Sequence, residues 1–246
     1  MAYNFSDPLT ILIFVILIIT NLSEYLTSPS KLLGLVLSLP AILIGLTFHE
    51  YAHALAADKL GDDTPRRQGR LSLNPLRHID PYGMILLLFA GFGWGKPVEI
   101  NPANFNRKVT IRQGNAIVSL AGPLMNFLLA FIFSVIYGLL LRFSYSFLLY
   151  NNTGYVIKTL VESIITITVS LGIFNLIPLP PLDGSKILLA ILPTKATDWV
   201  NRNQKILYFI FLIIWITPIS GAIVAPAINA VNNGLLKLIL AISGIR

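Results

Sequence analysis

Cysteine is absent from this 246-residue chain. Disulfides, thiolate-bound metals and cysteine nucleophiles are thereby excluded, and any metal must be held by His, Asp or Glu. Charge is scarce as well. Asp, Glu, Lys and Arg make up 12% of the residues, about half the share of an ordinary soluble domain. Long polar stretches are missing. The longest, Asp58–Pro81, is too small to fold alone, and there is no repeat or low-complexity tract. No basic run interleaved with aromatics accompanies the net charge of +7, so nucleic acid is not an expected partner. In a membrane protein such an excess marks cytoplasmic loops. Nothing basic precedes Leu9–Thr20 and no small-residue cleavage site follows. A first membrane span, extended toward Leu26, is therefore expected there rather than a cleaved signal peptide.

Apolar residues are plentiful, at 55% of the chain with a mean hydropathy of +0.74. The long apolar runs lie at about 9–26, 32–57, 115–141, 156–177, 206–219 and 222–242. They predict about six membrane segments, the fifth being short. A further run, Met84–Phe92, is too short to cross as a helix and leads into glycines. A re-entrant path is expected for it, surrounded by protein or a water-filled cavity. The expected fold is an all-α polytopic membrane protein with about six membrane segments and a short re-entrant, β-like segment near residues 84–100. Residues 1–246 form one membrane-embedded domain on this reading. With the N-terminus in the cytoplasm, 15 of the 18 basic residues fall on the cytoplasmic side, and Lys31, Arg142 and Lys158 on the other. The positive-inside rule favours that orientation, which also places the C-terminus in the cytoplasm.

The chemistry is carried by His49-Glu50-Tyr51-Ala52-His53, an HExxH box inside the second apolar run. Residues i and i+4 share a helix face, so both imidazoles reach one metal ion. Glu50 lies beside them, placed to handle the proton of a water at the metal. Ionisable residues are costly in hydrocarbon and point to function there. A catalytic zinc takes three protein ligands and keeps a position open. Without cysteine, the third ligand is His78, an Asp or a Glu. His78 lies in a polar loop. Asp183 follows Pro178, Pro180 and Pro181, which break a span, and broken helices in membranes surround sites. Asp183 is therefore the expected ligand. The competing reading makes it the N-cap of a helix starting near Gly184.

Several further motifs occur in a familiar order. His49 to Ala54 is followed by Ala57 to Asp62, Leu73-Asn74-Pro75, His78 to Pro81 with Gly83, Gly93 to Val98, Ala121-Gly122-Pro123 with Asn126, and Asn175 to Gly184. Over about Gly45 to Lys186 the chain resembles the site-2 protease family, in the minimal form with no room for an inserted PDZ domain or a C-terminal regulatory domain. The resemblance implies that His49, His53 and Asp183 bind one zinc ion and that Glu50 is the catalytic base. It also implies that Asn126 and Asn175 help hold substrate, and that the substrates are transmembrane proteins cut within the bilayer.

A helical substrate hides its amides, so an unwound segment needs new partners. Gly91, Gly93 and Gly95 alternate, leaving one face of an extended strand bare, and a substrate strand could add there with Gly93 and Gly95 at the contact. A glycine-rich tight turn is the plainer reading. Arg66 to Arg70 is read as a topology anchor, and Asn151-Asn152-Thr153 as a glycosylation sequon match. The competing function is a metal transporter or channel that binds its ion with the same His and Asp residues.

Overall fold

The computed structural model describes residues 27–90 and 93–245, together with Leu12, Val15, Ile16, Ile19 and Leu22. Apart from those five positions, the expected first span lies outside the described residues. The chain forms helices α1 (Pro29–Lys59), α2 (Pro81–Ala90), α3 (Ile111–Tyr150), α4 (Asn152–Asn175), α5 (Asp183–Ile191), α6 (Thr194–Arg202), α7 (Gln204–Ile216) and α8 (Ile219–Ser243). Lys31–Lys59 of α1 and the whole of α3, α4 and α8 are long and apolar enough to cross a bilayer. Among the described residues there are thus four such helices where the apolar runs predict five. The run at 206–219 forms α7, whose 13 residues reach only about 20 Å, short of a roughly 30 Å hydrocarbon core.

Local sequence explains the helix boundaries. Thr110 and Gln113 form a reciprocal capping box at the start of α3, satisfying two otherwise orphaned backbone donors. The Asn151 carboxamide accepts from the amides of Thr153 and Gly154. It caps α4 and makes the α3–α4 turn tight. The residue read as a glycosylation acceptor thus has a structural task.

Helices α1 and α3 run antiparallel: His53 meets Val118 and His49 meets Asn126 across their interface. The end of α1, the start of α3 and the loops between them therefore gather at one end of the bundle. The α3–α4 turn lies at the other end. Helix α8 runs parallel to α3. Ile239 packs with Tyr137, Val161 and Ile165, and the Ile242 carbonyl accepts from Arg142 Nη1 at 3.5 Å. The sequence expectation put Arg142 on the far side and the C-terminus in the cytoplasm. Arg142 and the end of α8 share one end of the bundle, so they cannot lie on opposite sides of a membrane. That pair of assignments came from counting the run at 206–219 as a complete crossing.

The loops at the other end are clasped by buried polar side chains. Gly61 adopts φ +103°, open to glycine, and lets the chain turn out of α1. Asp62, fully buried, accepts from the Thr64 amide and hydroxyl, the Asn101 amide and the Asn104 carboxamide. Burial pushes its carboxyl up, but those donors outweigh burial and hold it below the ordinary carboxylate value. Arg70 is buried too. Its guanidinium donates to the carbonyls of Arg77, Lys96 and Pro97. Within the cluster read as a topology anchor, Arg70 thus also clasps the loops together.

The segment expected to be re-entrant and β-like is divided. Met84–Ala90 continue α2, and beyond Gly93 the structure shows a single antiparallel bridge, Ile79 with Gly95, beside a 2.7 Å bond from the Lys96 amide to the His78 carbonyl. The bridge stays short because Ile79 lies between the 3-10 turn Pro75–Arg77 and α2, which begins at Pro81, so its strand has no extended residues left to pair.

Two outcomes follow. Single cysteines placed at Asn152 and Ile245 should react with an impermeant thiol reagent from the same face of the membrane, and one at Arg67 from the opposite face. Labelling of Ile245 and Arg67 variants from one face would contradict the parallel placement of α3 and α8. Asp62→Asn should lower stability by about 1–3 kcal/mol, because buried donors lose a charged acceptor. Asp62 contributes in full above its unfolded pKa of roughly 3.9, and the contribution is lost as pH falls through the lower folded value. The gap in stability between wild type and variant should therefore shrink in acid, as followed by unfolding in detergent.

Candidate metal centre

His49 and His53 lie on one face of α1, one turn apart, and both are buried. Asp183 is the first residue of α5. His49 Nε2 and His53 Nε2 are 3.0 Å apart, and Asp183 Oδ2 lies 3.2 Å from the first and 3.1 Å from the second. These atoms form a nearly equilateral triangle. A tetrahedral zinc with bonds of about 2.0–2.1 Å spaces its ligands by roughly 3.3 Å, so the triangle fits such an ion with one position left open. The protonation pattern fits as well. His53 Nδ1 lies 2.7 Å from the Val118 carbonyl, which can only accept, so Nδ1 carries the hydrogen. The neutral ring then presents a lone pair at Nε2, aimed where Asp183 Oδ2 is also aimed. Buried lone pairs that converge are stabilised by a cation. Among the described residues, this trio is the group of His, Asp and Glu side chains able to hold a metal ion.

Helix α3 forms the wall behind the imidazoles. A Cβ at Gly122 would stand 2.5 Å from His53 Nε2 and 2.6 Å from His49 Cε1. The glycine is needed so that the helix can approach the rings. Asn126, one helical turn further on and fully buried, places its carboxamide nitrogen 3.1 Å from His49 Nδ1. Helix α5 is pinned at its far end by Arg112, which donates to the carbonyls of Leu189 and Leu192 and to the Thr197 hydroxyl. Leu182, just before Asp183, packs into an apolar cluster with Leu86, Phe211 and Leu212. Asp183 makes no capping bond; its Oδ1 faces Lys186 Nζ at 3.8 Å. The N-cap reading is thereby set aside.

Glu50 is buried beside the trio but outside it. Its Oε2 accepts from the Val98 amide at 3.1 Å. His78 is fully buried away from the trio, its Nε2 at 2.6 Å from the Ser72 carbonyl. Asn175 donates to the Leu171 carbonyl at 3.0 Å within its own helix and meets none of the trio in a hydrogen bond. Gly93 and Gly95 need a correction. The alternation predicts a bare face open to a partner strand. A Cβ on Gly93 would instead strike the Gly83 carbonyl and Leu87, and one on Gly95 would come 3.0 Å from the His78 carbonyl and 3.4 Å from Glu50 Oε1. The bare positions serve packing within the chain. Val98 and Val118 escape sequence reasoning because both act through backbone atoms, which carry no residue-type signal.

Alanine at 122 favours a helix but pushes on both rings. Gly122→Ala should therefore leave helical content unchanged by circular dichroism while weakening zinc retention on the order of tenfold or more. Undiminished zinc affinity would show that the rings relax freely.

The sequence matches the profile of peptidase family M50 over residues 38–148 and 149–218. It is 37% identical over 201 residues to the "Putative zinc metalloprotease YwhC" of Bacillus subtilis, covering 82% of this chain and 90% of that protein. Similarity at 30% identity extends to a relative named for the same activity, Rip2 of Mycolicibacterium smegmatis, over 72% of this chain and 65% of the relative. The similarly named MJ0611 of Methanocaldococcus jannaschii is also 30% identical, over 64% of this chain and 72% of the relative. No solved structure matches the chain. With the triangle of donors and the bilayer-length helices, these matches place the chain in peptidase family M50, the site-2 protease family of membrane zinc metalloproteases.

Proposed function

We propose that this chain is a single membrane-embedded domain, residues 1–246, that hydrolyses peptide bonds within transmembrane segments of other proteins. In this reading His49, His53 and Asp183 hold one zinc ion and Glu50 is the general base. The observation that carries it is the separation of roles around the donor triangle: three atoms converge, and Glu50 beside them is held by the Val98 amide instead. A transporter would be expected to use Glu50 as a further ligand, so the separation favours hydrolysis.

Zinc, when bound, acidifies a water and polarises the substrate carbonyl. The protein does the rest. Val98 fixes Glu50 by one oxygen, which leaves Oε1 to accept the proton of the attacking water. Glu50 then returns that proton to the leaving amine. Leu182, beside Asp183, joins an apolar cluster with Leu86, Phe211 and Leu212. Substrate pairing falls to the outer backbone edge of Gly93–Ile100, which ends beside Glu50. Gly93 and Gly95 contribute by letting that edge lie close to α2 and Glu50. Asn126 and Asn175 are assigned no direct substrate contact in this reading, since their amides engage His49 and Leu171. The trio sits toward the end of α1 that carries Lys59, Arg66 and Arg67. The positive-inside rule places that end in the cytoplasm and the end of α8 on the far side.

Purified protein in detergent with zinc should cleave single-span substrates. Glu50→Gln should abolish cleavage while keeping about one zinc per chain, since the amide preserves shape and removes the proton acceptor. His49→Ala, His53→Ala and Asp183→Ala should each lose the metal by elemental analysis. Cleavage by Glu50→Gln at near wild-type rate would end the base assignment. Zinc retained by Asp183→Ala but lost from His78→Ala would end the ligand assignment.

A further inference from the structure

The Asn126 carboxamide presents an imbalance. Its nitrogen lies 3.1 Å from His49 Nδ1, and its oxygen is buried without a hydrogen-bond partner. His49 Nε2 points into the triangle with His53 and Asp183. A neutral histidine that ligates through Nε2 must carry its hydrogen on Nδ1 and donate it. A carboxamide nitrogen cannot accept that hydrogen. The carboxamide oxygen can, and half a turn of the planar group exchanges the two ends at the same position. One rotation therefore gives Nδ1–H an acceptor and the orphaned oxygen a donor.

We infer that Asn126 is a positioning residue whose side-chain oxygen accepts from His49 Nδ1–H and so commits His49 Nε2 to the metal. The inference rests on the reading of His49 as a zinc ligand. The Val118 carbonyl holds the second imidazole in the same way at 2.7 Å. Helix α3 thus supplies both acceptors, one from its backbone and one from a side chain two turns further along. An acceptor on the far ring nitrogen fixes the tautomer, orients the ring and raises its basicity toward the metal. The sequence itself assigns Asn126 no such role, since an Asn in a membrane helix is equally able to donate across an interface.

Substitution separates accepting from donating. Asn126→Leu keeps the shape and removes both functions. Asn126→Asp keeps the acceptor and removes the amide donor. Zinc affinity of the full-length protein in detergent, by competition with a chromophoric chelator, should fall roughly 10–100-fold in Asn126→Leu and stay at or above wild type in Asn126→Asp. The visible bands of the cobalt-substituted protein should be preserved in the Asp variant and shifted in the Leu variant. Wild-type affinity in Asn126→Leu overturns the inference without requiring the Asp variant to fold. Equal weakening of both variants, with helical content intact, also overturns it, because it means that the amide donor matters. His49→Ala is the control for the underlying reading. If that variant keeps wild-type zinc affinity, His49 is not a ligand. If it loses zinc and Asn126→Leu does not, the ligand stands and only the positioning role fails.

Discussion

Two imidazoles and a carboxylate aim their donor atoms at one point inside an apolar helix bundle. Water cannot dissipate the resulting electrostatic demand, and hydrocarbon offers no partner. The surrounding fold can be understood as the means of holding that arrangement. Helix α1 supplies the histidines on one face, α5 delivers Asp183 against them, and α3 approaches closely enough at Gly122 to leave no room for a side chain. The same stretch of α3 offers the Val118 carbonyl and the Asn126 side chain to the far ring nitrogens. Zinc binding would convert the demand into stability, since the ion binds the folded arrangement and not the unfolded chain.

Much of this centre was legible in the sequence for a simple reason. Metal ligation needs particular side chains at particular helical offsets, and His49 and His53 state both. Asp183 was legible because an acidic residue after three prolines is improbable inside a membrane without a task. The structure brings it within 3.2 Å of both imidazoles, 130 positions along the chain from His53. The acceptor on His53 was not legible, because a valine carbonyl is invisible in residue identity. The same holds for the Val98 amide on Glu50.

The misreadings have equally physical causes. Alternating glycines predict a bare strand face, but sequence does not say which neighbour uses the space, and here α2, His78 and Glu50 do. Arg70 belongs to the cluster read as a topology anchor, and residue identity did not reveal that its guanidinium gathers three backbone carbonyls in the loop layer. Arg142 and the C-terminus were assigned to opposite sides because hydropathy counts apolar length and not direction. The 13 residues of α7 satisfy apolar burial against Leu86 and Leu182 without completing a crossing.

The metal donors and the base are held by different parts of the molecule, and this has a mechanical consequence. His49, His53 and Asp183 are fixed by α1, α3 and α5, packed through apolar and glycine contacts. Glu50 belongs to α1 by its backbone, but its carboxylate is set by Val98, in a segment that Arg70 secures to the 70–78 loop. The end of that segment is tied through the Asn101 amide to Asp62, just beyond the end of α1. The Glu50 carboxylate is thus tied directly to the loop layer, whereas no loop-layer group is bonded to the donor triangle in these contacts. A substrate strand laid along Gly93–Ile100 would press on the same backbone that holds Glu50. In the proposed mechanism, substrate pairing and placement of Glu50 would share the Gly93–Ile100 backbone, whereas His49, His53 and Asp183 are held by α1 and α5.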